Sequence, residues 1–351
     1  MKSPIFNSVF SLAILATSGV LFAQTAATVP VGAINITIAA GSASAPKVST
    51  FSIPLRESVP ANFVGQASGR ITGVTATSVS NANAGWTAGA LSQAATPHFI
   101  RITSGSATGR TLQIATGTSN ANTASTLSVL NQGTDLTTVG IATGTNGDTY
   151  EVFPGDTLGN FFGNTTLGGT SAAVSDVVRV HDGSSWSDYY YNTTAGQWRI
   201  GSVPVSQNNV VLRPDGGVTF YRRGTTPLEY TLLGVVPSTP IRVVVKNAGS
   251  TYLGNVFPVN QTLGASGFNS LPGWVNNTGS VKTADKVVIF DGSTLNYYHY
   301  NQAASQWRIG SVPVPLSNVV IPAGVPAIVE RPSAAPGVTT LVRNLPYNLN
   351  Q

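Results

Sequence analysis

Nine residues, Gln197-Trp198-Arg199-Ile200-Gly201-Ser202-Val203-Pro204-Val205, return unchanged as Gln306 to Val314. The phrase lies inside a longer repeat. Asp176 to Pro237 aligns with Asp285 to Pro346 at a constant offset of 109 without a gap, and 26 of the 62 paired positions are identical. Upstream, Val152-Phe153-Pro154 with Thr157-Leu158-Gly159 reappears as Val256-Phe257-Pro258 with Thr262-Leu263-Gly264, with one residue inserted. A unit of about 100 residues used twice is too long for a solenoid and too few for a propeller, so each copy must hold its own small core.

Within the first copy the strand pattern is legible. Val177 to Val180, Tyr189 to Tyr191, Trp198 to Ile200, Val210 to Leu212 and Val218 to Tyr221 read as strands separated by turn residues, and Val319 to Ile321 and Ala327 to Val329 repeat the last two. Pro204 and Pro313 exclude a helix there. One helical turn is expected around Thr157 to Phe162, with Asp156 as its N-cap. Before Tyr150 the chain is rich in Ala, Thr, Ser and Gly, with short β-prone runs at Val31 to Ile38, Val48 to Ile53, Phe99 to Thr103, Thr111 to Ala115 and Thr126 to Leu130. Such residues are poor core formers, so this region should pack thinly, and Thr116 to Ser125 should be a mobile loop.

These readings predict an all-β fold: an N-terminal β-domain over 24–149, followed by two tandem homologous small β-barrel or sandwich modules over 150–245 and 246–351. Residues 1–23 read as a signal peptide, with Lys2 as the charged n-region, an apolar run from Ile5 to Phe22 and cleavage at Ala23-Gln24. After that cut no segment has the roughly 20 uninterrupted apolar residues a membrane helix needs. An outer-membrane barrel is the competing reading, but the chain ends Asn350-Gln351 without a terminal aromatic.

Charged residues are 9% of the chain, against roughly 25% in an ordinary soluble protein, so the surface is built from uncharged polar groups. The formal charge is +5, yet the basic residues are scattered and only Arg222 and Arg223 are adjacent, which does not make a nucleic-acid footprint. The lack of cysteine removes disulfides and thiolate chemistry.

The duplication also sorts candidate site residues. Tyr189 and Tyr191 are kept as Tyr298 and Tyr300, so they read as core, while the residue between them varies, Tyr190 against His299, and reads as solvent-facing. Trp198 and Ile200 share the core face, and Arg199 points away from it. The resulting candidate ligand or partner surface is Asp188, Tyr190, Arg199, Tyr297, His299 and Arg308. The two arginines alternatively brace the loops near Asp182 and Asp291.

Catalysis has weaker support. His181 aligns with Phe290 and His299 with Tyr190, so these histidines are replaceable by packing residues, and the kept Asp182-Gly183 and Asp291-Gly292 pairs are ordinary hairpin turns. No catalytic, cofactor-binding or metal residue is expected.

The Pro97-His98-Phe99-Ile100-Arg101-Ile102-Thr103-Ser104-Gly105 segment, Gly109-Arg110, the Thr157-Leu158-Gly159 signature, the late Trp-Arg-x-Gly phrase and Val319 to Gly324, together with the signal segment, resemble an uncharacterised family of exported β-rich proteins, found as paralogous conserved secreted proteins of Gram-negative bacteria. The resemblance implies export and a β-rich fold, and carries no activity. The expected role is a structural or adhesive component of the cell surface, with cell-surface polysaccharide or other surface proteins as partners. A carbohydrate-binding, lectin-like protein is the alternative, and a polysaccharide-active enzyme the third.

Overall fold

The computed structural model describes residues 30–182, 185–276, 282–312, 315–332 and 337–349. The segment read as a signal peptide, Gly183 of the first Asp-Gly turn, and Pro313 and Val314 of the second phrase lie outside the described residues. The fold is almost all β, as the sequence predicts.

The chain opens with β1 (Val31–Ile38) and β2 (Lys47–Phe51). Then come β3 (Ser68–Arg70), β4 (Gly73–Thr75), β5 (Ser78–Ser80), β6 (His98–Ile102), β7 (Thr111–Ile114), β8 (Thr126–Leu130) and β9 (Thr149–Pro154). These seven form one sheet in the order β3-β9-β6-β7-β8-β5-β4. Its core is not thin: Ile71, Trp86, Ile100, Ile102, Leu112, Leu127, Tyr150 and Val152 are all buried together. Most of its strands, β3 (Ser-Gly-Arg) excepted, still send one or more large side chains inward. Thr116 to Ser125 is tied down as well. The buried amide of Asn122 accepts from the Leu91 amide at 2.9 Å and donates to the Thr87 carbonyl at 3.0 Å, a role that a low-complexity stretch does not advertise.

After β9 follow β10 (Asp156–Thr157), α1 (Leu158–Phe162), β11 (Val177–His181), β12 (Trp186–Asn192), β13 (Gln197–Ile200), β14 (Val211–Leu212), β15 (Val218–Arg222) and β16 (Leu228–Val235). The expected helical turn is present, but Thr157 caps it instead of Asp156. Its hydroxyl accepts from the Asn160 amide at 3.2 Å while the Asn160 side chain accepts from the Thr157 amide, a reciprocal box that a residue one position earlier cannot make. Gly159 sits inside this turn because a Cβ there would lie 3.0 Å from the Asn208 carbonyl, to which its own amide donates. Gly264 meets Ser317 in the same way, which accounts for the Thr-Leu-Gly signature.

The N-terminal strands do not stay with the sequence around them. β1 pairs along its whole length with β16, from Val31 opposite Val235 to Ile38 opposite Leu228, and β2 pairs with β15. Residues 31–51 were expected in the 24–149 unit, because composition reports a strand but not its distant partner. The sheet they complete has the order β13-β12-β11-β15-β2, and its core includes Ile36, Phe51, Phe162, Val178, Tyr189, Trp198 and Phe220.

The remainder is β17 (Ile241–Lys246), β18 (Gly249–Leu253), β19 (Gln261–Thr262), β20 (Lys286–Phe290), β21 (Leu295–Asn301), β22 (Gln306–Ile309), β23 (Val320–Ile321), β24 (Ala327–Arg331) and β25 (Val338–Arg343). Its main sheet runs β22-β21-β20-β24-β18, the same order strand for strand, with the ribbons β17-β25 and β19-β23 standing as β1-β16 and β10-β14 stand in the first half. Both tryptophans of the repeated phrase are core residues. Trp198 packs against Phe162 and Tyr191 at 5.6 and 5.9 Å, and Trp307 against Trp274 and Tyr300 at 5.8 and 5.5 Å.

The kept pairs Asp176 with Arg222 and Asp285 with Arg331 are buried ion pairs at matching places. Asp176 also accepts from the amides of Leu167 and Arg223. Pro332 stands at the position of Arg223 and has no N–H to give, and Oδ1 of Asp285 has no partner among the described residues.

Candidate functional site

The six residues expected to form one surface do not do so. Tyr190 is buried at 3% exposure, and its hydroxyl donates to the Gly201 carbonyl at 3.1 Å. The segment before β11 reaches this residue too, since the Thr170 carbonyl lies 3.4 Å from the same hydroxyl. His299 is buried at 1%, between Lys286 and Arg308 on the neighbouring strands. Burial first, and then Arg308 and Lys286, lower its pKa. Strand alternation identifies the face of a residue and says nothing about whether that face is wet, which is why both expectations fail.

Arg199 lies opposite Tyr190 and Arg308 opposite His299, each half-buried. Arg308 donates to the side-chain oxygen of Gln306 at 2.6 and 2.9 Å in the amide orientation that satisfies both groups. It does not brace Asp291, whose carboxylate takes Ser293, Thr294 and Asn296. Asp188 and Tyr297 are the exposed members, and they occupy matching positions in the two halves. Each is paired across its sheet with a residue that lines a common cleft: Asp188 with Arg179, and Tyr297 with Val288.

That cleft has a volume of 620 Å³ and lies where the outward faces of the two five-stranded sheets turn towards each other. In β11 the inward positions are Val178 and Val180, which leaves Arg179 outward. In β20 they are Val287 and Ile289, which leaves Val288 and Phe290 outward. One wall is formed by Val48, Thr50, Arg179, Trp186, Thr219 and Tyr221, and the other by Val288, Phe290, Leu295, Pro326 and Ile328 with Ser293 and Thr294 at the adjoining turn, and Tyr252 lies between. Positions 179 and 288, 186 and 295, and 219 and 328 stand at the offset of the repeat. The two halves therefore contribute the same places with different chemistry.

Trp186 is the central group of the first wall. It is 41% exposed, lies edge-on to His181 at 4.8 Å and stands 4.9 Å from Tyr252. The Tyr252 hydroxyl is paired with Thr219 at 3.1 Å, and burial pushes its pKa up. Arg179 lies over the Tyr221 ring at 5.0 Å and forks onto Asp188 through Nε and Nη2 at 2.7 and 2.9 Å. That hydrogen-bonded carboxylate raises the Arg179 pKa. Arg179 is the one formally charged side chain among the described lining residues, so the cleft offers ring faces, aliphatic surface and a guanidinium. Such a lining can hold a ligand, but it presents no paired carboxylates for acid–base work.

Sequence reasoning passed over Trp186, Arg179, Tyr221 and Tyr252. The signal was nevertheless there, since Trp186 and Leu295 are large apolar residues at matching outward positions. Comparison with family models, with curated proteins and with solved structures found no match.

Proposed function

We propose that the chain is an exported, non-enzymatic protein of structural or adhesive kind at the cell surface, and that it holds its partner in the cleft between its two five-stranded sheets. The observation that carries this reading is the cleft itself: a volume in the range of ligand sites, with two large, half-exposed apolar side chains, Trp186 and Leu295, at matching positions in its walls. The low charge of the surface and the signal segment support the exported setting. On this reading the chain is two copies of one β-unit, with the seven-stranded sheet set into the first between β2 and β10. The shared strand order supports that architecture.

Protease shaving of intact cells, with Trp186→Ala and Leu295→Asp compared for attachment, tests the proposal. Full protection from the protease, or attachment that neither variant alters, overturns it. A carbohydrate partner is the second reading, favoured by the half-exposed Trp186 ring with the hydroxyls of Thr50, Ser293 and Thr294 in the same cleft. A glycan array probed with the purified chain tests it, and absence of binding at high protein concentration removes it.

A further inference from the structure

The two walls of the cleft have diverged in opposite directions from matching positions. Where the first half has Arg179, Trp186 and Thr219, the second has Val288, Leu295 and Ile328. The core beneath them kept its character: Val178 and Val287, Tyr189 and Tyr298, and Trp198 and Trp307 are identical pairs. The first wall therefore carries the cation, and the facing wall is hydrocarbon at Val288, Phe290, Leu295, Pro326 and Ile328, while its two hydroxyls, Ser293 and Thr294, donate to Asp291.

A ligand lying along those five side chains gains most by turning an apolar face to them. A sugar laid against Val288, Phe290 and Ile328 would bury hydroxyls on side chains that offer no hydrogen-bond partner. An acyl chain or flat ring buries its surface there favourably. At the opposite wall, Asp188 occupies Nε and Nη2 of Arg179 and leaves Nη1 outside the fork. From this we infer that the cleft binds an amphiphile, an apolar chain or ring bearing one carboxylate or similar anion, with the apolar body against the second-half wall and the anion at Arg179. The inference rests on the cleft being the ligand site. The volume of 620 Å³ accommodates a molecule of that size.

The test uses the full chain with 1-anilinonaphthalene-8-sulfonate as fluorescent probe, displaced by dodecanoate or by its uncharged analogue dodecanol. The expected result is saturable probe binding, with dodecanoate displacing at least about fivefold more effectively than dodecanol. Arg179→Gln should erase that difference. Asp188→Asn frees the guanidinium, and should strengthen dodecanoate several-fold while leaving dodecanol unchanged. Circular dichroism of both variants checks their folding, and the Asp188→Asn gain cannot arise from a misfolded chain. Equal displacement by dodecanoate and dodecanol in the wild type overturns the anionic head group and leaves the cleft as the site. Failure of both, with a neutral oligosaccharide quenching tryptophan emission in a Trp186-dependent way, overturns the amphiphile and keeps the cleft. Probe binding unchanged by Trp186→Ala and Val288→Asp overturns the cleft reading and this inference together.

Discussion

The amide of Ser52 donates to the carbonyl of Gly324 at 2.7 Å, and the same bond runs the other way from Gly254 to Asp215 at 2.9 Å. Asp215 and Gly324 stand at the offset of the repeat, while Ser52 and Gly254 each follow directly on the matching strands β2 and β18. Two reciprocal backbone bonds thus join the segments after β2 and β18 to Gly324 and Asp215. Gly254 is required there, since a Cβ would lie 2.5 Å from the Gly216 carbonyl.

Ser52 ties this junction further. Its buried hydroxyl donates to the Asn255 carbonyl at 3.2 Å and accepts from the Asn255 amide at 3.0 Å. Ser52→Ala leaves both groups buried without a partner and should destabilise the chain by about 2–4 kcal/mol. Chemical denaturation measures this, and an unchanged midpoint would show that the junction contributes nothing.

Two tryptophans of the first half should respond in opposite ways. Trp198→Ala empties a core position at 0% exposure and should cost about 3–5 kcal/mol in urea unfolding. Trp186→Ala should cost no more than about 1 kcal/mol and instead weaken ligand binding. Equal destabilisation by both would assign Trp186 to packing.

Stability should depend on pH through Asp156. Burial, and then the charge of Glu57, push its pKa from 3.8 up to about 6. The folded value lies above the unfolded one, so this stabilising contribution is complete below about pH 4 and is lost as pH rises to about 6. Asp156→Asn never ionises, and its stability relative to wild type should improve by about 2–3 kcal/mol between pH 4 and pH 7.5. Denaturation midpoints at the two pH values decide the matter, and parallel profiles would contradict the shift.

Among the described residues, the second half of the repeated phrase is surface. Val203 and Val205 are 46% and 58% exposed and Val312 is 48% exposed, although the core does not call for their identity. Val203→Asp combined with Val312→Asp should leave the melting temperature within about 2 °C. In the adhesive reading the same change should reduce attachment of cells bearing the protein. Attachment at the wild-type level would confine these valines to a local turn.

Much of this was legible in the residues. Val31 to Ile38 and Thr126 to Leu130 are strands over the bounds their composition marks, and the Trp198 and Trp307 cores follow from their repetition. The partner of β1 was not legible, because a ladder between Val31 and Val235 leaves no local trace. Tyr190 and His299 misled for a related reason: variation between copies marks positions free of the unit's own core, and such positions can be covered by another segment. The cleft went unseen because it consists of outward residues from two sheets that only their docking brings together.

The pairing of β1 with β16 also sets an order in time. β1 leaves the ribosome before every other described strand, yet it has no ladder to join until Leu228–Val235 has been made, after the whole seven-stranded sheet. That sheet draws all its strands from one stretch of chain and can close early, while Ile34, Ile36 and Ile38 wait with their apolar faces uncovered. A chain with so long a loop to close folds slowly, and its first strand is the one a chaperone has most reason to hold.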